Sequence, residues 1–344
     1  MRPFGYARPD DLMQAVHLGS ATGPGVVDAP VQYLAGGTTL IDLMKLDVLR
    51  PQRLVDIGAL AAGLERIEVS PKGLRLGALA KMAAVAEHPA LRRAYPVIAQ
   101  SLTLAASAQL RNMATLGGNV LQKTRCPYYR DTSWSACNKR SPGSGCTAIG
   151  GSNRNHAILG VDESCIAQYP GDFAIALIAL DAQVELRGLD GSRSIPLATL
   201  HRDPQGRPDI ETNLKAGEII VGFEVPAAAW YQRSLYVKVR DRASYEFARA
   251  SAAVALDLSA DGVREARIGL GGMAYRPWRA LAAERFLVDK PLTAVTALAA
   301  ADVALRDART HGGNAYKPEL ARQTIVRALL GAKDLPIGEV DHVR

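Results

Sequence analysis

The sequence predicts an α+β protein of 344 residues whose last third forms a domain separable from the rest. Three observations lead there. Strand-like and helix-like segments are interspersed through the first 230 residues or so. From about residue 232 three strands run together, and two or three helices then close the chain. Apolar content of 48% and charged content of 22% are those of an ordinary globular protein, with enough apolar residues for more than one core.

The elements follow in order. "PDDLMQAVHL" opens as a helix with Pro9 and Asp10 at its start and Leu12 and Val16 on one face. "VQYLAGGTTLIDLMKL" reads as strand, glycine turn and helix. "LERIEVSPKGLRLGAL" alternates about a Pro-Lys-Gly turn and predicts a hairpin. A helical stretch runs through "AYPVIAQSLTLAAS", and "ATLGGNVL" is an apolar segment broken by paired glycines. "GDFAIALIALDAQVELRGLDGSRSIPL" predicts a short helix and a hairpin, and "EIIVGFEVP" a strand. "SLYVKVRDR", "SAAVALDL" and "VREARIGLGGM" are strands, the last two joined by "SADG". Helices are expected around 279–287, 292–308 and 316–331. Residues 122–156 show no periodicity, and a loop of that length in a compact domain is functional or tied down.

Composition excludes several function classes. No apolar run reaches the length of a membrane span, and the N-terminus has no apolar signal region. The net charge of +7 fits a solvated basic surface or a docking face for an acidic partner. Nucleic-acid binding is not expected, because Lys and Arg are spread along the chain and aromatics are sparse.

Two glycine turns are candidate binding elements. In "LAGGTTLID", Gly36 and Gly37 end a strand and precede a helix, so consecutive backbone N–H groups stand clear of side chains. That arrangement cradles a phosphate, and Thr38 and Thr39 add hydroxyls. The pattern is neither the dinucleotide fingerprint nor a P-loop, and a plain turn has the same appearance. In "ATLGGNVL", Thr115, Gly117, Gly118 and Asn119 repeat the theme as a second cradle. Two such turns suit a diphosphate better than one.

All four cysteines, Cys126, Cys137, Cys146 and Cys165, fall within one window of forty residues. Two disulfides, a structural zinc site, buried free thiols and a [4Fe–4S] cluster are the readings open to such a set. C-x-x-C pairs, common in zinc sites, are absent, and the spacing matches no ferredoxin pattern. Between Gln122 and His156 stand six basic residues (Lys123, Arg125, Arg130, Lys139, Arg140, Arg154) and one acid, Asp131. Cations lower the cost of a negatively charged thiolate cluster, and Gly143, Gly145, Gly150 and Gly151 would let amides approach sulfur. A metal centre would also order a loop with little else to hold it. Chemistry ranks iron–sulfur first and zinc second.

"LAGGTTLIDLMK", "QLRNMATLGGNVLQ", "YPGDFAIALIALDA" and "YVKVRDRASYEFA" occur in this order in the FAD-binding subunits of the xanthine dehydrogenase family, the molybdenum hydroxylases. The chain resembles them over nearly its whole length. The window "CPYYRD…CNKRSPGSGCTAIGGSNRNHAILG…CIAQYPGDFA" is similar to an insertion in the FAD subunit of the periplasmic aldehyde oxidoreductase type, which carries a [4Fe–4S] cluster. The FAD subunit of 4-hydroxybenzoyl-CoA reductase has a comparable insertion, but "NKRSPGSGC" and "NRNHAILG" favour the first type.

The resemblance implies an FAD-binding domain of the vanillyl-alcohol-oxidase type over residues 1–228, in two subdomains (about 1–58 and 59–228) with the insertion at about 122–165. A C-terminal α+β domain over 229–344 follows. It implies that the "AGGTT" turn (Ala35, Gly36, Gly37, Thr38 and Thr39) binds the FAD pyrophosphate, with Leu34, Leu40 and Ile41 also at the cofactor, and that Thr115, Gly118 and Asn119 form the second wall. Asp172 would hydrogen-bond the cofactor; Gly171 stands before it where the family more often has Ser. Ile219 or Ile220 would touch the flavin, and Lys238 would lie near its ring. Cys126, Cys137, Cys146 and Cys165 would ligate the cluster.

By the same resemblance the partners are a molybdenum-cofactor large subunit, where substrate is hydroxylated, and a small subunit with two [2Fe–2S] clusters. This chain would take electrons from the small subunit and deliver them at FAD to an external acceptor, with no catalytic base of its own. A subunit of the 4-hydroxybenzoyl-CoA reductase kind, with electrons running inward, is the alternative within the family. A non-redox binding module with a zinc or disulfide loop is the alternative outside it. The complex is expected in the periplasm, by export with a signal-bearing partner, or in the cytoplasm.

Overall fold

The structure is a computed structural model that describes residues 1–20 and 28–335. Three sheets follow one another along the chain. β1 (Gly5–Ala7), β2 (Val31–Leu34) and β3 (Arg53–Asp56) form a parallel sheet in the order β1-β3-β2. The helix Leu12–Gly19 lays Ala15 and Val16 against Val55 and Ile57 of this unit. Its cap is Asp11, one residue beyond the expected Pro9-Asp10 start; the carboxylate accepts the Gln14 N–H at 2.8 Å. β2 runs into the Gly36-Gly37 turn and the helix Leu40–Lys45, as the sequence predicts.

The second sheet is antiparallel: β4 (Ile67–Ser70), β5 (Gly73–Gly77), β6 (Gln183–Gly188), β7 (Gly191–Pro196) and β8 (Ile219–Pro226), in the order β4-β5-β8-β6-β7. Both expected hairpins are present. The excursion between β5 and β6 carries the helices Met82–Glu87, Pro89–Ala94, Pro96–Thr103, Ala108–Met113 and Leu116–Val120, then the cysteine segment.

The third sheet, β9 (Ser234–Val239), β10 (Ala250–Leu258), β11 (Val263–Gly271) and β12 (Trp278–Arg279), is antiparallel in the order β12-β11-β10-β9. The helices Leu281–Leu287, Ala294–Ala304 and Lys317–Lys333 contribute to its apolar core. The helix Phe173–Ala179, buried at every residue, wedges between this sheet and the second. Gly269 admits it: a Cβ there would fall 2.4 Å from the Ile175 carbonyl. The result is the expected α+β architecture. Among the described residues no helix is long and apolar enough to cross a membrane.

The segment 122–165 contains only the single-turn helices Pro127–Arg130 and Thr147–Gly150, yet it is tied down throughout. Asn138 donates to the Ser164 carbonyl, and the Ser152 N–H donates to the Tyr128 hydroxyl. From the last helix, Lys317 enters fully buried and donates to the Asn155 carbonyl, Gln168 Oε1 and the Gly272 carbonyl. Burial without a carboxylate partner lowers its ammonium to about 7.

Candidate functional site

The Gly36-Gly37 turn forms one wall of a cleft of about 240 Å³. Ala35, Gly36, Gly37, Thr38, Thr39 and Leu40 line it on one side, and Thr115, Gly117 and Gly118 on another. Ile219 and Ile220 of β8 line it too. The backbone N–H groups of Gly36, Gly37, Thr38 and Thr39 find no acceptor among the described residues, nor do the hydroxyls of Thr38 and Thr39 make a hydrogen bond. A run of donors left bare beside a cleft is the chemistry of a phosphate cradle. Both glycines are required. Gly37 has φ +71°, and a Cβ on Gly36 would sit 2.2 Å from the Met113 carbonyl oxygen. Leu34 and Ile41 lie beneath the turn rather than on the cleft wall; a Cβ at Gly37 would be 3.3 Å and 3.1 Å from them.

The second glycine segment does not repeat the cradle. Thr115 caps the helix Leu116–Val120, accepting the Gly118 N–H. The Leu116, Gly117 and Asn119 amides go to the carbonyls of Ala80, Ala78 and Thr115. The segment serves as a wall whose amides are already spent, because helix formation and docking on residues 78–80 consume them. Asn119 faces the next cavity, with its Nδ2 on Met82 Sδ and its Oδ1 buried without a partner among the described residues.

That next cavity, of about 410 Å³, shares Thr38, Thr39 and Gly118 with the cleft and continues it past Gln122, Arg125 and Phe247 to Asp172. Asp172 begins the helix Phe173–Ala179 without capping it. Its Oδ1 accepts from the Tyr236 hydroxyl at 2.7 Å and its Oδ2 from Lys238 Nζ at 2.7 Å. Lys238, with a side chain 1% exposed, does not line either cavity; it stands behind Asp172 and also donates to the Leu104 carbonyl. Asp172 therefore meets the cavity, and Lys238 holds it.

The four thiols converge. Cys126, Cys137, Cys146 and Cys165 line a single small cavity and are all free. Cys137 and Cys146 face each other across an antiparallel bridge, closed by a turn with Gly143 at φ +86° and Gly145 at φ +95°. Nearby amides favour the thiolates: those of Tyr128 and Tyr129 at Cys126, of Ala148, Ile149 and Ile166 at Cys146, and of Ala167 at Cys165. Of the glycines expected to open the way for amides, Gly145 directs its own N–H to Asn138 Oδ1. His156 Nε2 lies 3.2 Å from Cys126 Sγ. Burial pushes the Cys126 thiol up to about 12. A hydrogen bond from Cys165 lowers Cys146 to about 6, and the same bond, with burial, raises Cys165. Among the described residues no three His, Cys, Asp or Glu side chains are gathered closely enough to hold a single metal ion. The four free thiols leave the disulfide reading without its bonds.

The expected belt of six cations does not surround the thiols. Only Lys139 lines their cavity. Arg125 and Arg130 reach Asp42 on the helix after the glycine turn, Lys123 pairs with Glu211, and Arg154 stacks on Tyr316. These four find a carboxylate or a ring elsewhere in the fold, which local composition does not reveal, while Arg140 donates to the Tyr128 and Trp134 carbonyls within the segment. Asp42 and Glu211 are the residues that sequence reasoning missed.

A cleft with a bare amide run, continued by a cavity with a fixed aspartate and flanked by four gathered thiols, has the layout of a flavoprotein subunit. Residues 2–228 match the model of the FAD binding domain in molybdopterin dehydrogenase, and residues 235–332 that of the CO dehydrogenase flavoprotein C-terminal domain. The chain belongs to the FAD-binding medium subunits of the molybdenum hydroxylase family, an oxidoreductase family. It is 42% identical to the aldehyde oxidoreductase FAD-binding subunit PaoB of Escherichia coli (strain K12), over 97% of this chain and 99% of that one. It is 26% identical to the carbon monoxide dehydrogenase medium chain of Hydrogenophaga pseudoflava, over 96% of each. A solved structure of carbon monoxide dehydrogenase from Hydrogenophaga pseudoflava superposes with a TM-score of 0.73 at 26% identity, covering 97% of this chain and 99% of that chain.

Proposed function

We propose that the chain is the FAD- and [4Fe–4S]-binding electron-transfer subunit of a molybdenum-dependent aldehyde oxidoreductase. It takes electrons from a [2Fe–2S] small subunit, beside a molybdenum-cofactor large subunit, and passes them to an external acceptor. The likeness to the Escherichia coli aldehyde oxidoreductase subunit over nearly the full length of both chains carries this reading. The convergence of every cysteine on one cavity supports the cluster.

The residues fit both groups. Bound FAD supplies the redox chemistry, accepting and releasing electrons singly or in pairs. The amides of Gly36 through Thr39 would bind its diphosphate, and Ile219 and Ile220 provide an apolar wall. Asp172, fixed by Tyr236 and Lys238, offers a carboxylate oriented before any ligand arrives. The four cysteines would hold the cluster. A tetrahedral zinc ion would need its sulfurs about 3.8 Å apart. Among the described residues no three metal-binding side chains are gathered closely enough for one such ion. Amides already directed at Cys126, Cys146 and Cys165 would stabilise thiolate charge.

Absorption spectra and iron analysis of anaerobically purified protein test this. A flavin spectrum with an added broad iron–sulfur shoulder and about four irons per chain is expected. Flavin without iron sinks the cluster, and absence of flavin sinks the assignment as a whole.

A further inference from the structure

Between the cofactor cleft and the thiol cavity lies another cavity, of about 30 Å³. It shares Leu121, Lys123 and Thr212 with the cleft, and Thr124, Lys139 and Ala167 with the thiol cavity. Glu211 spans it. One carboxylate oxygen accepts from Lys139 Nζ at 2.8 Å, and the other accepts from Lys123 Nζ at 2.6 Å. The Lys139 side chain is 3% exposed, and those of Lys123 and Glu211 are each 17% exposed. Lys139 spends its other two protons on the Pro208 carbonyl and the Tyr275 hydroxyl, so its ammonium is fully satisfied. Arg276, on the same cavity, is neutralised by Asp203.

We propose that Lys139, Glu211 and Lys123 form a charged bridge that couples the thiol site to the cofactor cleft, setting the reduction potentials of both together. This rests on the function proposed above, with a cluster on the thiols and FAD in the cleft. Two ammonium groups against one carboxylate leave a net charge of +1 on the bridge itself, and Arg202, which also lines the cavity, adds to the positive charge there. Positive charge favours the reduced, more negative form of a redox group on either side. A tether for the loop would need one ammonium only. The second ammonium, on the far oxygen and at the cleft wall, ties only the start of the segment at Lys123, and it makes the gap cationic at both ends. Three such charges are costly to bury, and apolar packing would fill the space as well. Burial opposes the charge on Glu211, yet the two ammoniums overcome it and bring the carboxyl down to about 2, so the bridge stays charged at neutral pH.

Redox titration of the full-length protein carrying flavin and iron tests the coupling. Flavin absorbance and the electron paramagnetic resonance signal of the reduced cluster are the readouts. Glu211→Gln keeps a side chain that can accept from one lysine and donate nearby, but it removes the negative charge; both midpoint potentials are expected to rise. Lys123→Gln removes a cation at the cleft; both are expected to fall, the flavin's further than the cluster's. Unchanged midpoints in Glu211→Gln with both cofactors present overturn the proposal and leave the proposed function standing. If Glu211→Gln sheds iron, Lys123→Gln decides: a flavin midpoint at the wild-type value overturns the proposal. Wild-type protein without iron or flavin overturns the proposed function itself, and the coupling with it.

Discussion

Replacing Lys238 by Met tests how the site's aspartate is held. The pair it breaks is buried on both sides, with side-chain exposures of 1% for Lys238 and 4% for Asp172. After the change Asp172 keeps the Tyr236 hydroxyl on Oδ1, but Oδ2 loses its partner at 2.7 Å. A buried carboxylate stripped of its counter-ion costs about 3–5 kcal/mol. Methionine is close to lysine in volume, so the packing loss adds less than about 1.5 kcal/mol. Lys238→Met is therefore expected to destabilise the protein by about 3 kcal/mol or more. The double variant Asp172→Asn/Lys238→Met removes both charges, and its asparagine oxygen still accepts from Tyr236. It is expected to recover about 2 kcal/mol relative to Lys238→Met alone, a coupling of the size seen for residues in direct contact. Urea unfolding followed by circular dichroism measures each stability. A loss under about 1 kcal/mol in Lys238→Met, or a double variant as unstable as the two single losses added, would refute the claim that the pair is a tightly coupled buried ion pair.

Four further outcomes follow from the structure. Gly36→Ala places a Cβ 2.2 Å from the Met113 carbonyl and must shift the cradle; FAD affinity measured by flavin fluorescence should fall at least about tenfold, or about 1.4 kcal/mol. Gly118→Ala meets only Thr115 Oγ1 at 3.1 Å and should stay within a few-fold of wild type. Cys137→Ser should lose its iron by elemental analysis and keep its FAD, because the glycine turn lies outside the cysteine segment; loss of both would mean that the thiol site supports the cleft. Glu211 falls from 4.5 to about 2 on folding. A folded value below the unfolded one stabilises above the unfolded value and is lost as pH falls through 4.5 towards 2, a contribution of at most about 3 kcal/mol. Urea stability measured from pH 5.5 to 3 should decline less steeply in Glu211→Gln than in wild type.

What the sequence disclosed and what it hid divide along a physical line. Strands such as β10 and β11 and the C-terminal helices were legible because apolar periodicity is a local property. The glycine turn was legible because a positive φ and bare amides need glycine in the chain itself. The gathering of four cysteines was legible from their count and clustering. Ion pairing was not. Asp42 meets Arg125 across 83 residues of sequence, and Glu211 meets Lys139 across 72. No local pattern encodes such a pairing, so a run of cations near the cysteines looked like a counter-charge for them. Lys238 shows the same limit. It meets Asp172 across 66 residues of sequence and stands one layer behind it, off both cavity walls.

The cysteine segment also revises the expectation that a metal centre supplies its order. In a zinc finger the ligands are the only fixed points, so metal binding and folding are one event. Here the fixed points are elsewhere. Arg125 and Arg130 anchor the start of the segment to Asp42, beside the glycine turn. Lys139 anchors its middle to Glu211 and Tyr275. Asn153 closes the turn after Cys146 by donating to the Ala148 and Ile149 carbonyls, and Lys317 and Asn314 grip residues 155–157 from the C-terminal region. Apart from the internal Asn153 closure, the tethers join the segment to different parts of the fold, so no single thiol is needed to keep the others gathered. A site organised in this way would be built before the proposed cluster is inserted, and substituting one cysteine should cost iron rather than fold.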